Sequence, residues 1–188
     1  MLFARMAAVA TATVILVAGC GHSSGSKAEY NSADVDFLNM MYPHHAQAVE
    51  MAELVPSRSQ NQHVKDLAAN IEQAQAPQMQ QMVILLASFG KPKPSATVDH
   101  TMAGLMGTSR MDGLLTDQQM QTLKSRNGIA FDKTWLQDML DHHSGAVNMA
   151  NDEVKKGSNA DTKKMAQDII TTQQDEIDKM SGMLSGMM

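Results

Sequence analysis

The sequence predicts an all-α protein: a four-helix bundle made of two duplicated helical hairpins, joined by a long crossover that contains a short helix. Three observations predict it. Residues 41–52 (MYPHHAQAVEMA) recur as residues 139–150 (MLDHHSGAVNMA), 98 positions later. The same offset carries Ala68, Ile71, Gln75 and Met82 onto Ala166, Ile169, Gln173 and Met180 without a gap. Apolar residues also recur at helical spacing in four long runs, bounded by proline, glycine and capping residues. Two amphipathic hairpins hide their stripes most simply against each other.

The N-terminus stands apart from that bundle. Arg5 supplies a positive charge, residues 6–18 form an apolar run, and Val17-Ala18-Gly19-Cys20 follows. The run is short for a membrane span, which needs about 20 residues. The pattern resembles a bacterial lipoprotein signal with its lipobox. Residues 1–19 are then removed and Cys20 carries the lipid. Loss of Arg5 makes the formal net charge one unit more negative than the −5 of the whole chain. The domain is expected outside the cytoplasmic membrane, anchored to it through Cys20. Residues 20–31 read as a flexible tether. A single cysteine leaves no intramolecular disulfide.

Ser32 is the expected N-cap of the first helix, with Asp34 and Asp36 in its first turn, where negative charge suits the helix dipole. The helix should run to Val55 and stop at Pro56. Phe37, Leu38, Met41, Ala48, Val49, Met51, Ala52 and Val55 share one face, His44 and His45 lie inside it, and Glu50 points away. The second helix is expected over 58–88, with Val64, Leu67, Ala68, Ile71, Gln75, Met79, Met82 and Leu86 as its stripe and Gly90 at its close. Pro43 and Pro77 sit inside these helices, where proline costs about 3 kcal/mol and kinks the axis.

Residues 90–115 form a long irregular stretch containing His100, Met102, Met106 and Met111. A loop of this length in a compact domain is usually functional or disordered. Thr116 and Gln119 make a capping box for a short helix to Arg126. A third long helix, 130–156, repeats the first: Trp135, Leu136, Met139, Ala146, Val147, Met149 and Ala150 flank His142 and His143. The last, 160–185, repeats the second. The bundle thus spans 32–185, as repeat one (32–88), a connection (89–128) and repeat two (130–185).

An acidic balance and few aromatics offer no surface for nucleic acid. The chemistry lies in 18 methionines and seven histidines. Between 37–53 and 135–151 only 8 of 17 positions match, yet both histidines and both aligned methionines are among them. A histidine pair on a stripe that should be apolar needs partners. Residues three, four and seven apart share a helix face. Met41 with His45, His44 with Met51 and Met40 with His44 therefore present thioether and imidazole together, and Met139, His142, His143 and Met149 do so in the second copy. That donor set suits Cu(I), with Ag(I) as its mimic.

One helix cannot surround an ion. Met79, Met82 and Met180 are the candidates from facing helices, and Gln75, Gln173 and Glu176 could orient the imidazoles from behind. Met180, Met183, Met187 and Met188 form a further candidate set at a C-terminus expected to fray. Protonated imidazole cannot bind metal, so affinity is expected to fall below about pH 6. If the two histidine pairs meet in the bundle, they can share one site.

The segments MMYPHHAQAVEMA and DMLDHHSGAVNMA, each followed by an A-x-x-I-x-x-x-Q helix, resemble the bacterial family catalogued as domain of unknown function 305. That family includes the CopM-type periplasmic copper-binding proteins. The resemblance implies a ferritin-like helical bundle, extracytoplasmic copper binding and a part in copper tolerance. It implies His44, His45 and Met51, with His142, His143 and Met149, as ligands. The second copy departs from the first in carrying Asp141 for Pro43 and Asn148 for Glu50.

The expected function is a lipid-anchored, non-enzymatic protein that sequesters Cu(I) or exchanges it with a copper-donating or copper-accepting envelope protein. One alternative is an envelope interaction module with a Met-rich core. Another is a ferritin-like di-iron oxidase, which needs Glu-x-x-His from each of two helices. Met41 and Met139 stand where those carboxylates would be.

Overall fold

The computed structural model describes residues 29–97 and 113–187. The signal and lipidation reading of residues 1–20, the tether to residue 28, the loop residues His100, Met102, Met106 and Met111, and Met188 lie outside the described residues. The elements are α1 (Ser32–Glu53), α2 (Val55–Arg58), α3 (Gln62–Ser88), α4 (Asp117–Ser125), α5 (Gly128–Lys156) and α6 (Ala160–Gly186). The long four, α1, α3, α5 and α6, form the four-helix bundle that the repeat predicts, ferritin-like as the family resemblance implies, and α4 sits in the crossover. No described helix is long and apolar enough to cross a membrane.

Local chemistry sets the helix ends. Asn31, one residue earlier than expected, caps α1: its Oδ1 accepts from the backbone N–H groups of Ala33 and Asp34, and the Asp34 carboxylate accepts from the Asn31 N–H at 2.7 Å. Such caps are worth about 1 kcal/mol. The end of the expected tether is also docked on the bundle. Tyr30 stacks on Phe89 with centroids 4.3 Å apart, and Asn159 Nδ2 donates to the Glu29 carbonyl at 2.9 Å. Those partners are remote in sequence, so local composition does not reveal them.

Helix α1 stops at Glu53, short of Val55, because Pro56 serves in the first turn of α2, where its missing N–H costs nothing. Helix α3 starts at Gln62, later than residue 58, because Asn61 caps it through the His63 N–H. Helices α1 and α3 continue through Pro43 and Pro77. Gly90 closes α3 at φ +70°, and the Lys91 N–H reaches the Leu86 carbonyl at 2.8 Å, the six-to-one bond of a Schellman ending. The capping box of Thr116 and Gln119 opens α4 as predicted.

Helix α1 pairs with α3 and α5 with α6, and the hairpins meet mainly through α1 and α5. Asn31 Nδ2 donates to the Lys156 carbonyl, and Trp135 Nε1 to the Met51 carbonyl, both at 2.9 Å. Residue numbers therefore run in opposite directions along the α1/α5 seam. The core falls into two apolar clusters. One contains Met51, Val55, Ile71, Trp135, Leu136, Met139 and Met180. The other contains Phe37, Leu38, Met41, Met82, Leu86, Met149 and Ile169. Val49 and Val147, expected on the core face, are only partly buried.

A polar knot ties the start of α1 to the α5–α6 turn. The buried Asp34 carboxylate accepts from the backbone N–H groups of Asn31, Ser158 and Asn159. Burial alone would raise its pKa, but these bonds and one from the Glu153 carboxyl hold it below the ordinary 3.8. Glu153 is pushed the other way, from 4.5 to about 8, by burial and then by the Asp34 carboxylate beside it. The pair therefore holds one proton between two carboxyl groups, carried by Glu153.

Candidate metal centre

His44 and His45 stand halfway along α1, and His142 and His143 halfway along α5. All four side chains are fully buried. On each helix they separate residues of one apolar cluster from residues of the other. Met41 precedes and Ala48 follows the first pair, while Met139 precedes and Ala146 follows the second. The antiparallel seam brings the pairs together. The His44 and His142 ring centroids lie 3.8 Å apart at 41°, and those of His142 and His143 lie 6.1 Å apart. The two copies thus contribute to one histidine layer across the bundle.

Each outer imidazole is held from behind by the helix that pairs with its own. His143 Nε2 lies 2.8 Å from Glu176 Oε2 on α6. A carboxylate accepting from Nε2–H leaves the Nδ1 lone pair of the ring free. His45 Nε2 lies 2.8 Å from Gln78 Oε1 on α3, which leaves its Nδ1 in the same role. Neither of those Nδ1 atoms meets a hydrogen-bond partner. A metal-binding histidine usually donates its other ring N–H to a carboxylate or carbonyl, which fixes both tautomer and ring orientation. His45 and His143 already have that arrangement.

Burial opposes protonation of His45 and His142. His45 is lowered from 6.5 to about 4, by burial first and by the neighbouring His143 as well, against the Gln78 hydrogen bond. His142 is driven well below 6.5 by burial and by the adjacent His44, His143 and His45, against a hydrogen bond to the His44 backbone. His45 and His142 therefore resist protonation, and stay able to bind metal, below the pH of 6 expected from the sequence.

Among the described residues no three of His, Cys, Asp and Glu converge as a metal group; the soft donors in the clusters beside the layer are thioethers. The methionines are sorted crosswise between the copies. Met41 of α1 and Met149 of α5 share a cluster with Met82 of α3, while Met139 and Met51 share the other with Met180 of α6. Met40 and Met79 pack at the edge of the first set. Each face of the layer thus carries a soft set drawn from both hairpins, and neither helix supplies a site alone. Imidazole nitrogen with thioether sulfur fits Cu(I) or Ag(I).

The family model described as Domain of unknown function (DUF305) matches residues 34–184. The chain belongs to the DUF305 family. The crystal structure of a DUF305 protein from Streptomyces coelicolor, described as secreted, is 34% identical with a TM-score of 0.73, covering 83% of this chain and 94% of that one. A DUF305 fragment from Deinococcus radiodurans is 29% identical with a TM-score of 0.71, covering 82% and 97%. CopM in its Cu(I)-bound form is 26% identical with a TM-score of 0.66, covering 81% and 96%. CopM structures in Cu(II)-bound, Ag-bound and apo forms also match. No curated protein sequence matches the chain.

Within this DUF305 bundle some expected roles move. Glu176 orients His143 as anticipated, but the support for His45 is Gln78. Gln75 and Gln173 are buried, yet both amide atoms of Gln75 and the Oε1 of Gln173 lack a hydrogen-bond partner. The 98-residue offset links Gln78 to Glu176 and is the signal in the sequence that points to it. Met183 and Met187 pack against the cluster of Met180, because α6 stays helical to Gly186 instead of fraying.

A strap over the seam has no counterpart in the sequence pattern. The Gln47 carboxamide donates to the Leu115 carbonyl at 2.9 Å and accepts from its N–H at 2.7 Å. Gly113, at φ +89°, lies so close to α5 that a Cβ would stand 2.5 Å from the Asp141 carbonyl oxygen and 2.9 Å from His142 Cα.

Proposed function

We propose that this DUF305 chain is a non-enzymatic, extracytoplasmic copper-binding protein, lipid-anchored at Cys20, that sequesters Cu(I) or hands it to an envelope partner in support of copper tolerance. The observation that carries this reading is the buried histidine layer. His45 and His143 keep Nδ1 without a partner while Nε2 is held by Gln78 and Glu176, and Met41, Met82 and Met149 face Met51, Met139 and Met180 across the layer. CopM, which shares the fold, is known in Cu(I)- and Ag-bound forms. The match to a DUF305 protein described as secreted supports the location. A di-iron oxidase has less support, because Glu176 is the one carboxylate bonded to the layer among the described residues.

Titration of the purified chain with Cu(I), Ag(I) and Fe(II) tests the reading. Tight Cu(I) and Ag(I) binding is expected, and it should weaken strongly in a His44→Ala, His45→Ala, His142→Ala, His143→Ala variant that remains helical. Unchanged affinity in that variant would sink the ligand assignment. Fe(II) uptake with oxygen consumption would favour the oxidase, and no metal uptake at all would favour the interaction module.

A further inference from the structure

The histidine layer is fully enclosed, so any ion bound there must have a way in. The repeat makes the two sides of the α1/α5 seam comparable residue by residue. On one side the seam is shut. Gln47 grips the Leu115 main chain, Leu115 is buried in the cluster that contains Met51, and Gly113 presses on the α5 backbone at Asp141 and His142. Met51 is fully enclosed there.

The other side differs at the equivalent positions. Gly145 stands where the repeat has Gln47, so no carboxamide is present to grip a strap. A surface pocket of about 590 Å³ lies there, lined by Met40 and Phe37 from α1 and by Gly145, Asn148 and Met149 from α5. Met149, the counterpart of Met51, is 9% exposed. Met40 precedes His44 by one helical turn, and Met149 follows His142 by seven residues on the same face. A thioether pair thus lines the pocket within a turn or two of the two imidazoles that touch.

We propose that this pocket is the port through which a soft monovalent metal ion enters and leaves the histidine layer, with Met40 and Met149 as the transfer ligands. Thioethers are suited to transfer because they bind Cu(I) without needing to lose a proton, on flexible side chains that can follow the ion inward. The inference rests on the copper reading above.

Loading from, and unloading to, a chromophoric Cu(I) chelator, followed by stopped flow on the full chain, tests it. Asn148→Trp fills the pocket from an exposed position and should not disturb folding. It should slow loading and unloading together by about tenfold or more, a barrier of at least about 1.4 kcal/mol, while leaving equilibrium affinity unchanged. Met40→Leu should slow both rates as well, and Gln47→Ala, on the shut side, should leave them at the wild-type value. Wild-type rates in Asn148→Trp and Met40→Leu would overturn the port, as would faster loading in Gln47→Ala alone. A wild-type chain that takes up no Cu(I) would instead overturn the copper reading itself.

Discussion

Replacing Glu153 by glutamine should change how the stability of the bundle depends on pH. Glu153 is 2% exposed and its pKa rises from 4.5 to about 8, through burial first and then the Asp34 carboxylate, with Lys163 acting weakly against both. Because the folded value is raised, the folded protein holds this proton more tightly than the unfolded chain does. The stabilisation is complete below pH 4.5 and is lost as pH climbs through about 8. At about 1.4 kcal/mol per pH unit, the loss between pH 5.5 and 8.5 comes to roughly 3 kcal/mol. Asp34 titrates below 3.8, outside that window. The amide introduced by Glu153→Gln would still donate to Asp34 but could not ionise. Urea denaturation followed by circular dichroism, on metal-free protein, should show the variant gaining on wild type by that amount as pH rises. That is a relative midpoint shift of about 1–3 M urea. If the two stability curves stay parallel from about pH 5.5 to 8.5, Glu153 does not hold the shared proton and the description of the knot is wrong.

Two predictions concern the metal centre. Glu176→Gln keeps the size of the side chain but replaces the carboxyl group behind His143 by an amide, and Cu(I) affinity in a chelator competition should fall by about 10–100-fold; Gln75→Leu, which touches no imidazole hydrogen bond, should bind as wild type does. Because His45 is held at about 4 and His142 lies well below 6.5, Ag(I) affinity should change little between about pH 7 and 5. A depressed pKa also means that the stability contributed by His45 is present above pH 6.5 and lost as pH falls towards 4. A steep loss of Ag(I) affinity, about tenfold per pH unit and beginning near 6.5, would contradict the buried, neutral layer.

The fold was legible because the duplication states the same helical pattern twice. Helix identities, the capping box at Thr116 and the glycine ending at Gly90 follow from residue chemistry that acts within a turn. What could not be read were contacts across the bundle. Asn31 looked like part of a tether because its partners, Lys156 and the Asp34 knot, belong to the other hairpin or the next turn. The methionine sets were read within one helix, as Met41 to His45 or His44 to Met51. The antiparallel α1/α5 seam instead groups Met41 with Met149 and Met51 with Met139. Helical periodicity gives the face a residue occupies, but the crossing of two helices decides which end of another helix it meets. Gln78 escaped notice for a related reason: it lies beside the apolar stripe of α3, not on it.

The histidine layer sits where a bundle selected by packing alone would place leucine. A buried polar atom without a partner costs about 1–3 kcal/mol, and the Nδ1 atoms of His45 and His143 have none, with the unpartnered amide of Gln75 also buried in the bundle. Gln78 and Glu176 engage Nε2 of His45 and His143, and the Nδ1 atoms of both rings are left without a partner. Apolar clusters stand on either side of the rings, and burial lowers the pKa of His45 and His142. The same burial that makes the layer costly in the metal-free chain therefore prepares it for a cation that prefers neutral nitrogen and sulfur. It also places the layer beyond direct contact with solvent, which makes exchange, and not affinity alone, a property the surrounding helices must control.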